Sequence, residues 1–129
     1  MSEKTKFIEL KNVFKRLMGP KGCPWDKKQT HESLIRYLRE ESRELIAAIR
    51  TRNSAHMKEE LGDVLLQVML HAQIASRDKK FDIEDVIDVL VKKMKRRHPH
   101  VFGNAKVISS AHVVRNWKKI KEQEKKVSA

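Results

Sequence analysis

The chain has 129 residues, 40% hydrophobic and 36% charged, with a formal net charge of +12 and a single cysteine. That length supports one hydrophobic core and argues against two independent ones, so residues 1–129 are expected to form a single domain. The lone Cys23 excludes an internal disulfide, and no apolar run approaches the roughly 20 residues that span a bilayer, so no membrane span is expected. Without a basic-then-apolar leader pattern, the expected setting is a reducing cytoplasm. Charge is segregated along the chain: residues 92 to 129 hold twelve Lys or Arg against two Glu, a net +10, while residues 1 to 91 hold nearly all the acid. Such a basic third serves phosphate, as nucleotide or as nucleic acid, or is simply a solvated surface.

Phe7, Leu10, Phe14 and Leu17 recur at helical spacing until Gly19-Pro20 stops them, which predicts a first short helix. Residues 19 to 26 hold two of the three prolines and two of the four glycines, and the expectation there is a loop. Thr30 is the expected N-cap of a second helix, with Leu34, Leu38, Leu45 and Ile49 on its inner side and an end near Arg52-Asn53. Ser54 is expected to cap a third helix running to about Arg77, with Leu61, Leu65, Val68, Ala72 and Ala75 as its apolar stripe. Asp82 precedes a fourth, carrying Ile83, Val86, Ile87, Leu90 and Met94, which Pro99 and Gly103 break. A loop over residues 98 to 109 then leads to a last helix, capped by Ser109 or Ser110 and carrying Val113, Trp117 and Ile120. Five helices without a strand signal predict an all-α helical bundle.

Glu41 and Glu44 stand at i, i+3 on the second helix, and Glu60 and Asp63 repeat that spacing on the third. The turn between these helices lies at residues 51 to 54, and the pairs 41 with 63 and 44 with 60 are both centred on position 52. In an antiparallel hairpin the pairs are therefore level, and four carboxylates converge on one patch. Like charges within ~5 Å cost roughly 1 to 3 kcal/mol per pair, a cost that a cation removes. Hard oxygen ligands suit Mg²⁺ or Mn²⁺; zinc would want Cys or His, and a di-iron bundle would want Glu-x-x-His segments that the sequence lacks. Gly62, inside a helix at a cost of up to ~1 kcal/mol relative to Ala, hints at close packing beside the site.

Together, Gly22-Cys-Pro-Trp-Asp-x-x-Gln-Thr30, Leu38-x-Glu-Glu-x-x-Glu-Leu45, Glu59-Glu-Leu-Gly-Asp-x-Leu-x-Gln-Val68, Lys93-x-x-Arg-Arg-His-Pro-His-Val-Phe102 and Trp117-x-x-Ile-Lys121 resemble the MazG family of nucleoside triphosphate pyrophosphohydrolases. The resemblance covers about residues 7 to 125. It implies an all-α, dimeric or higher bundle and Mg²⁺-dependent conversion of a nucleoside triphosphate to a monophosphate and pyrophosphate, suited to house-cleaning of the nucleotide pool. It implies metal ligands at Glu41, Glu44, Glu60 and Asp63, phosphate contacts at Lys93 and Arg97, and a base-stacking and phosphate-binding pair at Trp117 and Lys121. Trp25 joins these as a substrate-side aromatic, although both tryptophans are equally placed to pack against the protein. Glu40 is a spare carboxylate, placed to orient a water or pair with a lysine. His98 and His100, flanking Pro99, read as caps of the loop rather than as acids. Some family members carry a lysine where this chain has His56, which predicts weaker or pH-sensitive phosphate binding.

Two other readings compete. One is a basic helical protein that binds nucleic acid through its last third; the other is a non-catalytic regulator of the same fold. The first gives no reason for two matched carboxylate pairs, and the second keeps the fold without turnover; on the enzyme reading the partners are the nucleotide and a second copy of the chain, with no membrane and no nucleic acid required.

Overall fold

The computed structural model describes residues 3–128, and within them the chain is helical without a strand. It divides into two compact units, Met1–Ile83 and Glu84–Ala129. The first unit begins with α1 (Glu3–Leu17), whose Phe14 is buried and whose Leu10 and Leu17 pack beside it. The chain then turns sharply: the Cys23 N–H donates to the Leu17 carbonyl at 2.8 Å, capping the helix end. A Cβ on Gly22 would collide with the Leu17 and Arg16 carbonyls, so only glycine fits this turn.

The expected loop over 19 to 26 gives way at Pro24 to a short helix, α2 (Pro24–Lys28). Proline at a first helical position loses nothing, because its missing N–H is one that a helix start leaves unpaired. α3 (Ile35–Thr51) starts later than Thr30, although Thr30 Oγ1 does accept from the Ser33 N–H at 3.0 Å in the turn before it. α4 (Ser54–Arg77) is capped by Asn53 rather than by Ser54: Asn53 Oδ1 accepts from the His56 N–H at 3.1 Å. Between the two, Arg52 takes a left-handed conformation with φ 58°, which reverses the chain in the fewest residues.

α3 and α4 form the antiparallel hairpin expected from the sequence. At its end away from the turn, Leu34, Leu70 and Ile74 are fully buried with Phe14 and Met69, each large side chain contributing about 1.5–3 kcal/mol. His31 and His71 join the segment before α3 to α4 through their Nδ1 atoms, 2.8 Å apart, with ring planes within 3° of parallel. The apolar stripes are only partly inward. Leu34, Ala72 and Ala75 are buried as expected, but Leu38, Ile49, Leu61, Leu65 and Val68 are exposed. The physical reason lies in α4 itself, whose buried face before Met69 carries Glu60 and Gln67 in place of apolar residues.

The second unit contains α5 beyond Ile83 (α5 is Ile83–Arg97), a four-residue α6 (Pro99–Phe102) and α7 (Ser110–Ser128). α6 is a second short helix inside a stretch expected to be loop, and it too starts on a proline. His98 Nδ1–H donates to the Met94 carbonyl at 2.6 Å, tying off the end of α5, and Ser109 Oγ accepts from the His112 N–H to start α7. Among its described residues no side chain is buried. Glu124 instead pins α7 to α5, accepting from Arg96 Nε at 2.6 Å and Arg97 Nη2 at 2.9 Å. These guanidinium bonds hold its carboxyl well below the usual range, at about 2.

Candidate metal centre

The helical period sets Glu41 and Glu44 on the side of α3 that faces α4, and the short turn brings Glu60 and Asp63 level with them. One ligand oxygen from each of the four lies within 4.8 Å of the other three. Glu60 is 8% exposed; Glu41 and Asp63 are half-buried and Glu44 faces solvent. Burial first, and then the charges of Glu44 and Asp63, push the Glu41 carboxyl above its ordinary value. The same causes in the same order raise Glu60, with His56 acting against them. His56 stands where the resemblance would place a lysine, its Nε2 3.3 Å from Glu60 Oε1.

Whether these residues suit a cation is answered by two atoms. Glu41 Oε2 and Glu60 Oε2 are buried and accept no hydrogen bond from any described residue. Buried carboxylate oxygens without donors are costly, and an ion satisfies them directly. Four all-oxygen donors of this kind fit a hard divalent cation such as Mg²⁺ or Mn²⁺. The close packing expected at Gly62 is absent: a Cβ there would meet nothing within 4 Å, and nothing in the structure explains the glycine.

The other sequence-predicted residues fall into three places. Glu40 is exposed and stands outside the four-carboxylate cluster. Trp25 is half-exposed and meets the Tyr37 ring edge-on, with centroids 5.6 Å apart, on a shallow cleft shared with Gln29, Glu32 and Arg36. In the second unit Trp117 is flanked by two cations, the Arg97 guanidinium at 6.0 Å and the Lys121 ammonium at 5.8 Å from its ring centre. Lys93 is half-buried one turn before Arg97 on α5. Gln67, within the Glu59–Val68 motif but outside the expected site residues, is 5% exposed with an unpartnered Oε1. Its signal in the sequence was its spacing, seven residues after Glu60 on the same inward face.

Residues 29–102 match the model of the MazG nucleotide pyrophosphohydrolase domain. The chain is 56% identical over 119 residues to the nucleoside triphosphate pyrophosphohydrolase/pyrophosphatase MazG of Thermotoga maritima, covering 92% of this chain and 45% of that protein. It is 38% identical to the nucleoside triphosphate pyrophosphohydrolase of Escherichia coli K12, covering 90% of this chain and 44% of the relative. It is 52% identical to the uncharacterized protein YabN of Bacillus subtilis, covering 95% of this chain and 25% of the relative. The chain thus spans about half or less of the length of these curated relatives. A crystal structure of a MazG-related protein from Thermotoga maritima superposes with a TM-score of 0.71 at 31% identity, covering 92% of this chain and 98% of that one. The matched stretch includes the whole hairpin and all four carboxylates, and it takes in more than half of the residues: the chain belongs to the MazG nucleotide pyrophosphohydrolase family.

Proposed function

We propose that this protein hydrolyses nucleoside triphosphates or deoxynucleoside triphosphates to the monophosphate and pyrophosphate, in a reaction that depends on Mg²⁺ and that Mn²⁺ can also support. The observation that carries this reading is the cluster of four carboxylates within 4.8 Å, two of whose buried oxygens have no donor. Glu41, Glu44, Glu60 and Asp63 would hold the ion. When bound, it supplies charge neutralisation at the phosphate oxygens and a lower pKa for an attacking water. Lys93, Arg97 and Lys121 bind the triphosphate oxygens and favour the pyrophosphate leaving group. Trp117 offers its indole face to the base, and Trp25 is a second aromatic contact. Glu40 orients water from the rim rather than binding metal. The activity suits removal of unwanted nucleotides from the pool, and the working form is a homo-oligomer, at least a dimer.

Pyrophosphate release from nucleoside triphosphates, with Mg²⁺ and with EDTA, tests the reading. Glu44→Gln and Asp63→Asn each remove a ligand while keeping the side-chain volume. Turnover is expected to fall by about a hundredfold or more, with helicity by circular dichroism unchanged. Metal-independent turnover, or full activity in either variant, would overturn the assignment.

A further inference from the structure

Beyond the four carboxylates, the hairpin seam contains one more polar residue that the fold does not use. Gln67 follows Asp63 by four residues and Glu60 by seven, so it lies on the same face of α4, about 6 Å along the helix from Asp63. In the register that puts Glu41 level with Asp63, Gln67 is level with Tyr37, between the acidic cluster and the apolar end of Leu34, Leu70 and Ile74. It is 5% exposed, and its Oε1 accepts nothing. Three buried acceptor oxygens therefore stand along one short stretch, on Glu41, Glu60 and Gln67, and no donor reaches any of them.

A bare cation would satisfy the carboxylates but does not by itself explain an amide placed one turn away. A hydrated one explains both. Mg²⁺ keeps several of its waters when protein carboxylates bind it, and those waters are strong hydrogen-bond donors. We infer that Gln67 is a positioning residue, whose Oε1 accepts a hydrogen bond from a water of the cation's shell and fixes that water against the α3–α4 seam. This rests on the metal-dependent reading of the site, and it assigns Gln67 no ligand bond and no proton transfer. A residue serving only the core would be expected to be apolar here, as at Leu70 and Ile74, or to have its amide paired.

The test is Gln67→Met, which keeps the unbranched length and removes the acceptor, with Gln67→Leu as a second variant should the first fold poorly. Three quantities are read on the full chain: the unfolding temperature in EDTA, the Mn²⁺ dissociation constant by calorimetry, and kcat and KM for pyrophosphate release. The proposal expects the unfolding temperature in EDTA to hold or rise, because a buried unpaired acceptor has gone. It expects Mn²⁺ affinity and kcat each to fall roughly tenfold with KM nearly constant, the usual scale for a partner outside the ligand set. Gln67→Glu keeps an acceptor and should recover kcat to within about threefold of the parent protein, as expected if the acceptor is the partner lost in the methionine variant. A lower unfolding temperature in EDTA with unchanged Mn²⁺ affinity would make Gln67 a packing residue and overturn the proposal. If the parent protein shows no turnover, the hydrolase reading fails, while the calorimetry still decides the part played by Gln67.

Discussion

The carboxyls of Glu41 and Glu60 pull against the fold at neutral pH. Both are raised above their ordinary 4.5 by burial and by neighbouring negative charge. A carboxyl whose folded value is raised contributes stability that is fully present below its unfolded value and is lost as the pH rises through the folded value. Metal-free protein therefore gives up this contribution on the way from acid to neutral pH, and a cation restores it by taking the place of the protons. The expected result in thermal unfolding is a Mg²⁺-induced stabilisation that is larger at pH 8 than at pH 5, approaching about 2.7 kcal/mol when Mg²⁺ exceeds its Kd a hundredfold. Glu60→Gln should remove most of the Mg²⁺ effect at pH 8 and make the metal-free protein more stable there. An equal Mg²⁺ effect at both pH values would contradict a cation bound at these carboxyls.

At the scale of elements, the hairpin holds the site together because its turn is so short. Arg52 alone takes the left-handed conformation, and Asn53 at once caps the next helix. One alanine inserted after Arg52 would turn Glu60 and Asp63 by about 100° relative to Glu41 and Glu44, or force the turn to absorb the extra residue. Metal binding by calorimetry should be lost in that variant while helix content stays near that of the parent. Unchanged affinity would mean that the turn, rather than the register, adapts. This geometry was legible in the sequence, because two i, i+3 pairs centred on a common turn need only the helical rise to be placed together. The buried face of α4 was less so. Hydrophobic periodicity pointed to Leu61, Leu65 and Val68, yet the seam at that level is filled by Glu60 and Gln67, and those leucines face outward. At Pro24 and Pro99 the expected break is instead a helix start, because proline is tolerated at a first helical position.

For the molecule as a whole, the exposed apolar residues matter most. Leu38 and Ile49 on α3, with Leu61, Leu65 and Val68 on α4, are large apolar side chains left exposed on the hairpin, the kind of surface that a second copy of the chain can cover. Sedimentation at micromolar concentration is expected to show at least a dimer, and Leu65→Glu combined with Val68→Glu is expected to shift it toward monomer. A parent protein that sediments only as monomer would refute a shared interface. A different limit comes from the far end of the hairpin. The bond between His31 and His71 needs one ring nitrogen with a proton and one without. Burial, and then His31, lower the pKa of His71 from its ordinary 6.5, so its share of stability is present above that value and fades as the pH falls through the lower folded one. Over the same acid range the carboxyls at the site gain from protons. Acidification therefore acts in opposite senses at the two ends of the hairpin, relieving the carboxyls of the site and weakening an imidazole contact about 16 Å along α4 from Glu60.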